Sequence, residues 1–181
     1  MATKGEGTEQ RPSFRSVLSF FLHARRRFHA QPVTRDTGGD MSDESVDVVR
    51  AAFEAWRGGG DSLLEFLSEE IDWEVRPDLP DAGRYRGHDG FRRLSARFDD
   101  VMVDMWFRPV ELIAVGEDQV VVPLTWGGRG KGSGLAFEER AETWVFTVAG
   151  GKITRVKEFA TREQALTAVS EEDSRRDELR R

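Results

Sequence analysis

The 181-residue chain has no cysteine. It can hold no disulfide framework, no thiolate metal site and no cysteine nucleophile, a composition that fits an intracellular, cytoplasmic protein. Histidine is scarce, with three residues, and tyrosine occurs once. No grouping of histidines and carboxylates has metal-site spacing, and neither a Walker loop nor a dinucleotide fingerprint is present, so neither a metal nor a cofactor is expected. Long apolar runs are missing too. The best is the short patch of Val17, Leu18, Phe20, Phe21 and Leu22, well below the roughly 20 residues of a membrane span. Its positive charges, Arg25, Arg26 and Arg27, follow the patch instead of preceding it as a signal peptide requires. No membrane association is expected. An excess of basic charge is also absent: the formal net charge is −6, which argues against a nucleic-acid binder.

That charge hides two unlike pieces. Residues 1–40 carry seven Lys and Arg against four Asp and Glu, whereas the remainder carries 20 against 29. The stretch AQPVTRDTGGD over residues 30–40 has the composition of a linker. Residues 1–40 are therefore expected to be a disordered extension, one domain is expected over 41–170, and the charged run 171–181 is read as a tail that continues or frays from the last helix.

Within the domain, Val46, Val49, Phe53 and Trp56 recur at the spacing of an amphipathic helix that Gly58, Gly59 and Gly60 stop. A short helix capped by Asp61 follows, and then the alternation Ile71, Trp73, Val75 marks a strand with one apolar face. A third helix shows Phe91, Leu94, Phe98 and Val101 on one side. From Met105 onward the pattern is β, roughly over 105–115, 119–127, 135–148 and 152–160, with short turns at 115–118 and 149–151 that call for antiparallel neighbours. The glycine-rich run from Gly127 to Gly134, with five glycines in eight residues, is read as the loop of a longer hairpin, and Thr161 caps a short C-terminal helix bearing Ala165, Leu166 and Val169. Helices first and a meander afterwards is an α+β arrangement.

Three local motifs accompany this order: Val48 to Trp56 leading to Asp61, the run Tyr85-Arg86-Gly87-His88-Asp89-Gly90, and Gly151-Lys152-Ile153-Thr154 followed by Arg162 to Leu166. With the element order they make the chain resemble the SnoaL-like members of the nuclear transport factor 2-like superfamily, over about residues 43–169. The resemblance implies a strongly curved, cone-shaped antiparallel sheet packed on three N-terminal helices, an internal cavity, and a homodimer through the outer sheet face. It implies no single reaction, because the fold hosts isomerases, cyclases, dehydratases, epoxide hydrolases and binding proteins.

Laid on the ketosteroid isomerase pattern, Val75 falls at the catalytic base, Ala52 at the tyrosine and Glu142 near the acid, so two of three groups are missing. On the limonene epoxide hydrolase pattern Glu158 falls at one carboxylate, but the partner Arg and Asp fall around Pro123, Thr125 and Gly127. The SnoaL-type cyclases use a cavity histidine, for which the domain offers only His88. His88 is equally suited to hydrogen-bonding its own loop. Among the five tryptophans, Trp73, Trp126 and Trp144 fall in strands and suit the wall of a small-molecule site or simply core. Glu138, Arg140, Glu142 and Trp144 share a strand face, read as an exposed ladder of cross-strand ion pairs in preference to a ligand-orienting set. The chain is accordingly expected to bind a small apolar or amphipathic molecule against Trp73, Val75, Trp126, Arg140 and Trp144. The alternative is a cofactor-independent lyase, isomerase or cyclase with His88 and Glu158 as acid and base.

Overall fold

Helix α1 (Met41–Trp56) carries Asp43 and Glu44 in its first turn, where acids suit the helix dipole. It buries Val49, Ala52 and Phe53. The computed structural model describes residues 41–57 and 60–181, so the expectation for residues 1–40 lies outside the described residues. After the single turn α2 (Gly60–Leu63) come β1 (Leu67–Val75), β2 (Gly83–Arg86), α3 (Gly87–Val101), β3 (Met102–Pro109), β4 (Ile113–Val115), β5 (Gln119–Gly130), β6 (Ala136–Ala149), β7 (Lys152–Phe159) and α4 (Arg162–Arg180). Among the described residues no helix is long and apolar enough to cross a membrane.

The strands form one seven-stranded sheet in the order β2-β1-β7-β6-β5-β3, with β4 also paired to β5. Every neighbouring pair is antiparallel except β1 and β7, which run parallel. The sheet is thus mixed where an antiparallel one was expected. The β1–β7 pairing joins strands about 80 residues apart, and no turn signal between them announces it. The path is open, its ends at β2 and β3, and is not the strongly curled cone expected. The helices also differ from three N-terminal ones under a sheet. Only α1 and the one-turn α2 precede the strands; α3 is inserted between β2 and β3.

Alternation along the strands separates two cores. On β5, Val120, Val122 and Leu124 join α1 and α3 side chains such as Phe53, Phe91 and Leu94, whereas Val121 points the other way and meets Ala165 and Val169 of α4. The first face is called inner and the second outer. Helix α4 is long, not short: Thr161 caps it by accepting from the Gln164 N–H at 3.3 Å, and it runs 19 residues to Arg180. Its second half buries no apolar side chain and is tied down by charge, with Arg176 2.9 Å from Asp118. Part of the outer face that a sheet-to-sheet dimer would use is therefore covered by the chain's own helix.

Two glycine sites set the geometry of the functional strands. Gly150 and Gly151, at φ 58° and 71°, form the two-residue loop between Ala149 and Lys152, the conformation that matches strand twist in a tight hairpin. Gly127 to Gly130, expected in a loop, continue β5 between β3 and β6. A Cβ on Gly128 would stand 3.1 Å from Met102 and Met105 side-chain atoms and 3.2 Å from the Val103 carbonyl. Glycine is there so that β3 can approach, and ladder bonds on both sides outweigh its low strand propensity.

Candidate functional site

The hairpin register places Trp144 of β6 directly opposite Glu158 of β7, with Glu142 one inward-facing position farther along β6. Strand pairing with β1 brings Trp73 and Val75 alongside, because Trp73 pairs with Val156 and Glu74 with Lys157. Both glutamates are buried, Glu142 to 6% exposure and Glu158 to 7%. A buried carboxyl must be hydrogen-bonded or neutral, and here the donors are indoles. Trp73 Nε1 donates to Glu158 Oε1 at 2.8 Å, and Trp144 Nε1 donates to Glu142 Oε1 at 3.0 Å.

Burial dominates the titration of both groups. It pushes Glu158 up to about 8, against the Trp73 indole bond; Glu142 nearby pushes the same way, and the charge and backbone of Arg76 pull down. Glu158 is therefore a neutral acid at pH 7. Glu142 is raised as well, first by burial, with Arg76 and then the indoles of Trp144 and Trp126 opposing and Asp78 adding to the rise. Arg76 follows Val75 at the end of β1; its Nε is buried 3.3 Å from Asp78 Oδ1 without hydrogen-bond geometry. Glu142 Oε2 is likewise buried and reached by no donor in hydrogen-bond geometry.

Aromatic rings close around the two acids. Trp73 and Trp144 stand 5.4 Å apart at 79°, Phe107 lies 5.3 Å from Trp144, and Trp56 stacks on Phe107 at 4.5 Å. Trp56, Phe107 and Trp126 are half-buried and form the outer part of this wall. An open groove of about 540 Å³ lies on α4 between Leu166 and Arg175. It shares no lining residue with the carboxyl pair, at which the polar groups of the inner face converge.

Of the residues singled out from sequence, Trp73, Val75, Trp144 and Glu158 come together on the inner face, with Trp126 next to Glu142. Arg140, paired with Trp126 across β5 and β6, is exposed. His88 stands elsewhere. Its Nε2 lies 3.2 Å from the carbonyl oxygen of Leu67, at the start of β1, where Leu67 pairs with Ile153 of β7, whereas Glu158 is five residues farther along β7, roughly 16 Å away. The structure does not bring His88 and Glu158 together. Glu142 corrects the reading of an exposed ladder: it faces inward with Trp144, two residues on, and the alternation of β6 was the signal for it. Arg76 and Phe107 were missed, Arg76 because nothing in a polar loop start marks it as near two acids. Among the described residues no group of three or more His, Asp or Glu is arranged to hold a metal ion.

A family model described as a SnoaL-like domain matches residues 49–156, more than half of the chain. The chain belongs to the SnoaL-like family. Glu142 falls inside the matched segment of this SnoaL-like protein, and Glu158 two residues beyond it. No curated relative matches. Among solved structures, a nuclear transport factor 2-like protein from Burkholderia xenovorans LB400 is 31% identical, with a TM-score of 0.51 over 65% of this chain and 88% of that one. TerC, co-crystallised with polyporic acid, is 20% identical with a TM-score of 0.58 over 70% and 98%. A protein with a ketosteroid isomerase-like fold from Catenulispora acidiphila DSM 44928, in complex with trimethylamine, is 19% identical with a TM-score of 0.55 over 64% and 86%.

Proposed function

We propose that this SnoaL-like protein binds a small apolar or amphipathic molecule on the inner sheet face, against Trp73, Trp126 and Trp144, with the two buried carboxyls as its polar contacts. The observation that carries the reading is Glu142, buried to 6% exposure with one carboxyl oxygen unpartnered. An acceptor left bare inside an aromatic wall is costly unless a ligand supplies its donor. Two fold relatives were crystallised with small organic molecules, polyporic acid and trimethylamine, which supports the same reading. The ligand enters by displacing the half-buried rings of Trp56, Phe107 and Trp126.

The test is native mass spectrometry of the purified chain for a co-purified organic molecule, paired with tryptophan fluorescence titrations using polyporic acid and trimethylamine. A bound mass or a saturable quench lost in Trp144→Phe supports binding; an empty protein whose emission no probe changes sinks it.

The pair also favours a second reading, a cofactor-independent lyase, isomerase or cyclase. Two carboxyls in one wall, each raised by burial but held by different partners, are the arrangement from which acid and base roles divide. In that reading Glu158 donates a proton and Glu142 accepts one, and His88 takes no part. Turnover of the bound molecule separates the two: a parent chain that converts it, with conversion lost in Glu158→Gln, supports catalysis, and a parent chain that leaves it unchanged sinks this second reading.

A further inference from the structure

The inner site is chemically lopsided in a way that names its ligand class. Beyond burial, Glu142 is pushed up by the carboxyl of Asp78 and Glu158 by that of Glu142, against the single guanidinium of Arg76. Arg76 is matched by Asp78 at 3.3 Å. Glu158 is a neutral acid at pH 7, so Glu142 is the surplus. Glu142 Oε1 accepts from Trp144 at 3.0 Å and Glu158 Oε1 from Trp73 at 2.8 Å, with the Trp126 indole also near Glu142 and the Arg76 backbone near Glu158. Glu142 Oε2 remains a buried acceptor without a donor. Trp144 and Trp126 neighbour Glu142, and Phe107, Trp73 and Trp56 pack on those rings; the faces of such rings attract positive charge.

An anionic ligand would meet the Glu142 carboxyl, and a neutral hydrocarbon would leave Oε2 bare. A group that is at once a cation, a single N–H donor and alkyl-clad satisfies all three features. We propose that the small molecule bound at this site is a protonated alkylamine, its ammonium N–H directed to Glu142 Oε2 and its alkyl groups against the tryptophan and phenylalanine rings. This rests on the binding reading above and narrows it to one chemical class.

The test titrates the full chain at pH 7, by tryptophan fluorescence and calorimetry, with three probes of similar size: trimethylammonium (charge and donor), tetramethylammonium (charge alone) and tert-butanol (donor alone). Trimethylammonium is expected to bind tightest, with tert-butanol weaker by about tenfold or more, since only the cation gains from rings and carboxylate together. Glu142→Gln keeps the shape and removes the charge, and is expected to erase that preference while leaving tert-butanol unchanged; circular dichroism confirms that the variant folds. Binding of tert-butanol as tight as that of trimethylammonium overturns the amine assignment and leaves small-molecule binding standing. Unchanged trimethylammonium affinity in Glu142→Gln overturns the placement at Oε2. Failure of all three probes overturns the amine assignment, and a purified chain without any co-purified molecule then removes the binding reading as well.

Discussion

Glu158 on the inner face of β7 and Arg155 on its outer face stand three residues apart, yet they keep opposite company. On the outer face Arg155, Lys157, Glu74 and Glu172 each have an ion-pair partner in the protein. Arg155 lies 3.4 Å from Glu172 of α4 and 3.7 Å from Glu74 of β1, Lys157 lies 3.9 Å from Glu74, and Gln119 donates to Glu172 at 3.3 Å. These pairs are part-exposed and hold α4 on the sheet. On the inner face two acids are buried among aromatic rings with one shared guanidinium nearby. Polar groups that complete each other fasten a structure; polar groups left incomplete in a closed wall await something else.

The largest expected effect comes from breaking the inner wall. Trp144→Ala removes a side chain only 3% exposed together with the donor to Glu142, and is expected to destabilise by about 3–5 kcal/mol, measured as the shift in the urea midpoint. Next comes pH. A carboxyl whose folded value lies above its unfolded one binds more protons when folded, so its contribution is fully present below 4.5 and is lost as pH rises towards about 8. Unfolding curves between pH 5 and pH 9 should therefore show stability falling with pH, at up to about 1.4 kcal/mol per unit for one such group. Glu142 is raised and acts in the same direction. Glu158→Gln should flatten the profile and be more stable than the parent at pH 8; an unchanged slope would mean that Glu158 is not the titrating group.

Outer-face substitutions should be milder. Glu172→Ala frees Arg155 and Gln119 together, and a loss of about 1 kcal/mol is expected because the pair is partly solvated. The same change should leave fluorescence titrations of the inner face untouched, and a shift there would erase the distinction between the faces. The smallest effect belongs to His88→Ala, which removes one part-buried contact to the Leu67 carbonyl, about 0.5–1 kcal/mol, with no change in ligand affinity. A lost ligand response in that variant would put His88 back beside the acids.

How far the molecule could be read in advance follows the range of its interactions. The stripe Val49, Phe53, Trp56 and the alternation Ile71, Trp73, Val75 announce α1 and β1, because periodicity is local. Glu158 was legible as a carboxyl on a recognisable strand. Its partnership with Glu142 was not, since it depends on which face of β6 turns inward. The parallel pairing of β1 with β7 depends on residues far apart in the chain. The length of α4 was hidden for another reason: beyond Val169 it buries no apolar side chain, and contacts such as Arg176 with Asp118 become visible only in three dimensions.

One small irregularity governs the sidedness of the whole arrangement. Across the β6–β7 pair, Thr147 faces Arg155 and Val148 faces Ile153, so Thr154 is an extra residue on β7, held by its hydroxyl donating to the Thr147 carbonyl at 3.2 Å. It acts as a phase shifter in a repeat of two. With it, Ile153 near the Gly150-Gly151 turn and Glu158 at the far end both face inward. Were Thr154 drawn into the regular ladder instead, every residue after it would change faces, and the hairpin would present Lys157 to the tryptophans and Glu158 to α4, exchanging acid for base in the interior.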